Sequence, residues 1–361
     1  MIRIDKTTPL GSNIHYFLKW TFISCVIGLM VGAVGAVFSI AVRWVTAFWE
    51  SHSWTLFLAP AAGVLIVWLY RTFHGEGNKG TNLVLESISS NEEVSLATAP
   101  LIFISTLLTH FVSASAGREG AALQLGGSLG NQIGKLLRLD EKDKKVAVMC
   151  GMSACFAALF GTPMAAGIFS LEVVSIGVLY YAALVPCVFS AFIGAAVSEG
   201  FGNPPEQFLL GAVPEFGITE AVLTVILGVL CALLSMAFCV LLHRSEKLYH
   251  SRIPNGYVRI AVGGVLLIVL TLLSGSRDYN GSGMELIGRI MGGETVSYLA
   301  FFWKMIFTAV VLGAGFKGGE IVPTLCVGAA FGATVARIAG LDQGLCAACS
   351  MAALFAGVTN C

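Results

Sequence analysis

The sequence predicts an all-α polytopic membrane protein made of two homologous halves. Apolar residues make up 56% of the 361 residues and charged residues only 12%, whereas soluble domains carry roughly 25% charged residues. Runs of about 20 apolar residues, the length that spans a bilayer as a helix, recur along the chain, and short motifs recur in the same order after about 200 residues. These observations predict a multi-pass protein of the cell membrane, surrounded by the lipid bilayer.

The apolar runs account for the predicted helices in order. They cover 16–49, 54–70, 96–117, 146–198, 218–242, 257–273, 296–316 and 321–336. The first run is too long for a signal peptide and has no small-residue cleavage site, so it is predicted to remain as a helix. Gly and Pro interrupt several runs, as at Gly161-Thr162-Pro163 and between Gly200 and Pro205. Helices broken at membrane depth are tolerated where they are buried or line a cavity.

Two basic connectors between apolar runs favour the cytoplasmic side or, for the second connector, the membrane interface. Lys and Arg cluster at 135–145 and again at 243–259, and loops rich in these residues tend to stay in the cytoplasm. The net charge of the whole chain is zero, so electrostatics gives no reason to expect a nucleic-acid partner. The basic clusters are interpreted as solvated loop faces.

Two short motifs suggest other chemistry, and both have simpler interpretations. Gly126-Gly127-Ser128-Leu129-Gly130, with His110 upstream, matches a serine hydrolase pattern, but that motif requires a strand-to-helix turn and here it falls in a small-residue helical run. Cys346 and Cys349 form a CxxC pair with no second pair nearby, and thiols in apolar segments behave as small hydrophobes. The sequence therefore predicts no enzyme activity, no metal and no cofactor.

An internal repeat divides the chain into two halves. The matched pairs are Gly28 with Gly228, Gly80 with Gly281, Glu119 with Glu320, Gly130 with Gly332 and Met152 with Met351. The offset within a pair is nearly constant; for Glu119 and Glu320 it is 320 − 119 = 201 residues. Five matches in the same order predict a first repeat at 1–200 and a second at 201–361.

Three glycine-containing segments are predicted to be helix starts that face a common site. They are Gly80-Thr81-Asn82, Gly117-Arg118-Glu119-Gly120 and Gly318-Gly319-Glu320-Ile321. Arg118 and Glu119 are the only Asp, Glu, Lys or Arg residues between 96 and 134, and charges at membrane depth indicate a functional site. Free backbone N–H groups and the positive end of the helix dipole favour an anion at such starts. In repeat-built transporters these ends meet at the substrate site.

At these residues the chain resembles the CLC family of chloride channels and proton-coupled anion antiporters. Residues 117–120 match the family's GREG motif, with Gln124 and Gly126-Gly127 following as in the family, and residues 315–323 (GFKGGEIVP) match its second anion-binding segment. Gly80-Thr81-Asn82 lies where the family has GSGxP. The resemblance implies a homodimer in which each subunit has its own anion pathway between two inverted-topology repeats.

The resemblance also implies the site residues and their roles. Glu119 would be the gating glutamate, which competes with the anion when ionised and carries a proton when protonated, and Glu320 would be an acid at the anion site. The implied anion-binding residues are Gly80, Thr81, Asn82, Gly117, Arg118, Gly120, Gly318, Gly319, Ile321 and Val322. The expected substrates are fluoride or chloride and protons.

Departures from the common family pattern favour fluoride over chloride. Glu320 stands where most members have an apolar residue, and the Ser-Gly-x-Pro pattern is lost, as in the bacterial branch that exchanges fluoride for protons; that branch often has Thr at the position of Val322. The glutamate pair of chloride/proton exchangers would fall on Glu172 and Val173, so the second acid is absent. Fluoride/proton antiport with fluoride export is the preferred hypothesis, and a chloride/proton antiporter or a passive chloride channel is the alternative.

The length of the second repeat differs from the family pattern. With the offset of 199 seen for Met152 and Met351, the partner of Pro163 would fall at 163 + 199 = 362, one position beyond Cys361. The family's last helices, including the tyrosine that usually completes the anion site, are therefore expected to be missing from this sequence.

Overall fold

The computed structural model describes residues 9–73, 95, 97–173, 180–208 and 217–359, which are almost entirely helical. No β-strand occurs among these residues, and the all-α prediction is confirmed. The α-helices are α1 (Pro9–Ser51), α2 (Ala59–Thr72), α3 (Thr98–Phe111), α4 (Glu119–Leu136), α5 (Glu141–Phe160), α6 (Pro163–Glu172), α7 (Leu184–Gly200), α8 (Ile218–Arg252), α9 (Gly256–Ser274), α10 (Met284–Met291), α11 (Ala300–Ala314), α12 (Ile321–Ala339) and α13 (Gln343–Thr359).

Several helical segments are long and apolar enough to cross a bilayer, as predicted. In the described part of the chain these are Ile14–Ser51, Ser53–Thr72, Tyr181–Gly200, Ala221–Arg252, Gly256–Ser274 and Ile321–Ala339. The predicted break at Gly161-Thr162-Pro163 is also present. Gly161 ends α5 in the left-handed conformation (φ 68°), and Pro163 begins α6, where the missing N–H of proline costs nothing.

The chain folds into two compact units that alternate along the sequence. The first comprises Met1–Ala41, Asn78–Pro100 and Ala122–Glu206, and the second comprises Val42–Gly77, Leu101–Ala121 and Gln207–Cys361. These units are defined by packing and not by sequence repetition. The division into consecutive repeats at 1–200 and 201–361 stays a prediction.

Glycine contacts pack the helices of the first unit. A Cβ on Gly32 of α1 would lie 2.7 Å from the Cα of Gly194 in α7, so the two backbones approach as closely as small residues permit. Gly126 and Gly130 of α4 face the backbone of α5 in the same way, at Gly151 and Ala147. The serine-containing run therefore lies in a packed helix, as the sequence predicts, and lacks the turn that a hydrolase nucleophile needs.

The second unit has two polar ends. At one end, the end of α2 contacts the start of α9, where the Arg71 guanidinium lies 4.5 Å from the Tyr257 ring centroid. At the same end α8 contacts α9, where Arg259 Nη1 lies 3.2 Å from His250 Nδ1. At the other end Arg277, after α9, donates to the carbonyl of Trp49 at 2.9 Å. Because positively charged connectors tend to stay in the cytoplasm, we propose that the Arg71–Arg259 end faces the cytoplasm.

Candidate anion site

The starts of α4 and α12 are joined by a pair of backbone hydrogen bonds. The Gly117 N–H donates to the Gly319 carbonyl at 2.7 Å, and the Gly319 N–H donates to the Gly117 carbonyl at 2.9 Å. Gly117 precedes α4 by two residues, and Gly319 stands just before Glu320, the N-cap of α12. Two of the three predicted helix starts are thus brought together. The third, Gly80-Thr81-Asn82, lies outside the described residues.

Only glycine fits at this junction. A Cβ on Gly318 would lie 2.7 Å from both the Ala116 Cβ and the Gly117 carbonyl oxygen, and a Cβ on Gly319 would lie 2.8 Å from the Gly120 backbone nitrogen. Real Cβ atoms do not approach other heavy atoms this closely, because contacts of that length are strongly repulsive. The motif glycines therefore permit the close approach of the two helix starts.

Glu119 is fully buried against the glycines of the junction. None of its surface is exposed, and its Oε1 accepts a hydrogen bond from the Arg118 N–H at 3.1 Å. Its Oε2 has no hydrogen-bond partner and would lie 2.8 Å from a Cβ on Gly319. A buried carboxylate with an unpaired oxygen is costly in the ionised state. Protonation of the carboxylate, or its displacement from the junction, removes that cost.

The neighbours of Glu119 provide the positive electrostatic environment that an anion requires. The Arg118 side chain is 6% exposed, and its charge acts on the Glu119 carboxylate. The backbone amides of Glu119, Arg118 and Val322 also act electrostatically on that carboxylate, so N–H groups of both helix starts favour a negative charge there. A small anion in place of the carboxylate would meet the same donors.

The acid at the start of α12 is exposed, in contrast to the buried Glu119 at the start of α4. Glu320 is exposed and has helical backbone angles, and its side chain makes no capping hydrogen bond. Its carbonyl accepts from the Thr324 N–H at 2.8 Å and from Thr324 Oγ1 at 2.7 Å. The next two residues, Ile321 and Val322, are buried. The Glu320 carboxylate is therefore accessible where the Glu119 carboxylate is enclosed.

The segment between α3 and α4 is held in place by contacts that sequence reasoning did not anticipate. The Gly281 N–H donates to the Ser113 carbonyl at 2.9 Å, and the hydroxyl groups of Ser115 and Thr308 lie 3.0 Å apart. Ser113 adopts a positive φ of 53°, which is uncommon for a residue with a side chain. These contacts fix the backbone that leads into Glu119.

Lys304 stabilises the turn at residues 279–281, whose Gly281 N–H donates to the Ser113 carbonyl. Its side chain is fully buried in α11, and its Nζ donates to the carbonyls of Tyr279, Asn280 and Gly281 at 3.2, 3.4 and 2.7 Å. An ammonium group has three protons, and each of them finds an acceptor here. The sequence did contain a signal, since Lys304 is the only charged residue between 296 and 316.

The two positions that the resemblance predicts to match the glutamate pair of chloride/proton exchangers lie in the first unit. Glu172 is the last residue of α6, and Val173 is its C-cap. Val173 has no titratable group, so a proton cannot be carried at this position.

Comparison with known proteins supports the fold and identifies the family. The family profile described as voltage gated chloride channel matches residues 62–361. A chloride/fluoride channel protein of Pseudomonas syringae pv. tomato is 32% identical over 351 residues, covering 96% of this chain and 78% of that protein. An H(+)/Cl(−) exchange transporter of Yersinia pestis bv. Antiqua is 25% identical over 364 residues, covering 92% and 76%.

Among solved structures, the chain is similar to a CLC-type fluoride/proton antiporter. The sequence identity is 31%, the TM-score is 0.91, and the similarity covers 95% of this chain and 87% of that protein. The predicted CLC-type fold is therefore confirmed. The site residues themselves, including Glu119 and Glu320, stay predictions.

Proposed function

Since the chain belongs to the voltage-gated chloride channel family, we propose that it is a membrane antiporter that exports fluoride in exchange for protons. The observation that carries the proposal is the Glu119 carboxylate, which is fully buried between two glycine-lined helix starts and has one unpaired oxygen. The names of two similar proteins, a chloride/fluoride channel protein and a fluoride/proton antiporter, support fluoride as the anion. The proposal assigns the chain no enzymatic activity.

Exchange of fluoride for protons follows from competition between the Glu119 carboxylate and the anion for one set of backbone hydrogen-bond donors. When ionised, Glu119 occupies the backbone amides at the junction and keeps the anion out. When protonated, it loses most of its attraction for those amides, so fluoride can take its place at the junction. The proposed anion-binding residues are Gly117, Arg118, Gly120, Gly318, Gly319, Ile321 and Val322, with Gly80, Thr81 and Asn82 as the third helix start. Because the ionised carboxylate and the anion exclude each other from this position, an anion enters only when Glu119 has taken up a proton, and this competition couples the two movements in opposite directions.

Fluoride is the halide that suits an acid-lined site. It is the smallest halide and the strongest hydrogen-bond acceptor among them, so a protonated carboxyl group can donate a strong hydrogen bond to it. Glu320, exposed at the start of α12, provides a second carboxyl group close to the junction. We propose that Glu320 favours fluoride over chloride at this site.

Proteoliposomes test the proposal directly. A fluoride gradient is expected to drive protons across the membrane in the opposite direction, and an equal chloride gradient is expected to drive much less proton movement. Stronger proton movement with chloride would contradict fluoride selectivity and indicate a chloride/proton exchanger. Anion flux without proton movement would contradict antiport and indicate a passive channel.

The quaternary structure is a separate part of the proposal. From the family resemblance we propose a homodimer with one anion pathway in each subunit. Cross-linking of the protein in native membranes is expected to give a dimer, and mass measurement of the purified protein in detergent is expected to give twice the subunit mass of 38.0 kDa. A monomer in both measurements would contradict this part without affecting the transport proposal.

A further inference from the structure

Lys317 lies in the anion-binding segment but has no assigned role. It immediately precedes Gly318 and Gly319, and it is half-buried. Its ammonium nitrogen lies 4.5 Å from the centroid of the Tyr70 ring, a distance that suits a cation–π contact. Within the described ranges the ammonium makes no hydrogen bond to the protein and no ion pair. Its protons are therefore available to a ligand, in contrast to those of Lys304.

A second cation with an unpaired donor lies on a segment that packs beside Lys317. A Cβ on Gly63 would lie 2.9 Å from Ile260, which follows Arg259, and 3.2 Å from the ring of Phe316, which precedes Lys317. Arg259, in the first turn of α9, acts electrostatically on Lys317 as a like charge. Its Nη1 lies beside His250 Nδ1, but its Nε is buried without a hydrogen-bond partner. A buried donor without a partner is unfavourable, and most such donors in proteins are paired. A bound anion would reduce the repulsion between these two cations and would accept hydrogen bonds from their unpaired donors.

The acid that acts electrostatically on both cations does not form a direct ion pair with either of them in the described part of the chain. Glu246, on α8, attracts both Lys317 and Arg259, but it is exposed. Exposed charges are well screened by water and salt. The local excess of positive charge therefore persists at the cytoplasmic end of the second unit.

We propose that Lys317 and Arg259 form a cytoplasmic binding site for a small inorganic anion, which concentrates that anion beside Gly318 and Gly319. The ammonium and the guanidinium Nε supply the donors, and Tyr70 covers one side of the ammonium. The identity of the anion as fluoride rests on the function proposed above. A positive site beside the helix start raises the local anion concentration and so lowers the bulk concentration needed for half-maximal transport.

Inverted membrane vesicles test the site, because they expose the cytoplasmic end to the bath. Lys317→Met is expected to raise the fluoride concentration for half-maximal uptake by about fivefold, with the maximal rate and the proton-to-fluoride ratio unchanged. Lys317→Arg is expected to stay close to the wild type. The matched control is Lys247→Met, which removes one positive charge from an exposed residue of α8 at the same end; it is expected to change half-saturation less than twofold.

A second variant keeps the proposal falsifiable if Lys317→Met does not fold. Glu246→Gln removes the exposed acid and leaves the cations in place, so half-saturation is expected at about half the fluoride concentration of the wild type. Unchanged half-saturation in Lys317→Met, an equal effect in Lys247→Met, or no decrease in Glu246→Gln would each overturn the proposal. If the wild type transports chloride and not fluoride, the proposed function fails, and the same measurements with chloride still decide whether the site exists.

Discussion

The starts of α4 and α12 share a backbone arrangement but differ in their side chains. Each contributes a glycine to the reciprocal hydrogen bonds between Gly117 and Gly319. Glu119 is fully buried at the α4 start, whereas Glu320 is exposed at the α12 start. The backbone geometry that an anion requires thus occurs at both starts, and only one of them encloses its acid. We infer that the α4 start carries the proton and the α12 start determines which anion is accepted.

The largest effect is expected from Glu119→Gln, which removes the titratable group from the enclosed start. Glutamine cannot take up and release a proton in the physiological range, so fluoride-driven proton movement should fall more than tenfold, to background, while fluoride flux persists. Simultaneous recording with a fluoride electrode and a pH electrode in proteoliposomes measures both. Glu294→Gln, at an exposed acid before α11, is the control. Unchanged coupling in Glu119→Gln would refute the assigned role.

A large effect is also expected from Gly319→Ala, which tests whether the two starts must touch. The added methyl group would lie 2.8 Å from the Gly120 nitrogen and from Glu119 Oε2, so we expect destabilisation by about 1–3 kcal/mol and loss of most transport. Thermal unfolding in detergent and fluoride efflux measure the two effects. Gly228→Ala is the matched control, because a Cβ at Gly228 meets nothing within 4 Å. Wild-type behaviour of Gly319→Ala would contradict the close approach.

A smaller and selective effect is expected from Glu320→Ala at the exposed start. Loss of a carboxyl group that can hydrogen-bond to fluoride should reduce fluoride transport about tenfold, equivalent to about 1.4 kcal/mol, with chloride transport changed much less. The ratio of initial fluoride and chloride effluxes measures the selectivity. Equal reduction of both anions would show that Glu320 does not distinguish them, and the functional difference between the two acids would then rest on Glu119 alone.

The smallest effect on exchange, with a clear effect on stability, is expected from Lys304→Met. The substitution leaves three buried carbonyls without their donor, which should lower the free energy of unfolding by about 3 kcal/mol. The coupling ratio should change little, because the turn acts on Glu119 only through Ser113. Lys247→Met, at an exposed position, controls for the loss of charge. Equal thermal stability of the two variants would contradict the role of the turn.

The sequence predicted the helix starts because their signals are local. Glycines next to charges in an apolar run identify the starts of α4 and α12, and the repeat relates Glu119 to Glu320. Which of these two acids is enclosed could not be predicted, because burial depends on the packing of segments about 200 residues apart. The hydrogen bonds between Gly117 and Gly319 are likewise a tertiary contact that no local pattern encodes.

The contacts of Lys304 and Lys317 could not be predicted from the sequence, although Lys304 is marked as the only charged residue in its apolar run. Both are single lysines near apolar helices, but one donates to three carbonyls and the other contacts an aromatic ring. The acceptors of Lys304 are backbone atoms, and their direction depends on a turn with positive φ at Gly281 and Gly283 (58° and 95°). A residue pattern identifies side chains and their spacing, and it does not reveal where carbonyl groups point.

The turn around Lys304 has the form of a cation-binding site in which the cation is a side chain. Carbonyl oxygens that converge on one point are the arrangement by which proteins coordinate alkali metal ions. Here the positive charge is covalently attached to α11 and cannot dissociate. The three converging carbonyls of the turn, which supports the segment before Glu119, are therefore satisfied by a charge that belongs to the chain itself.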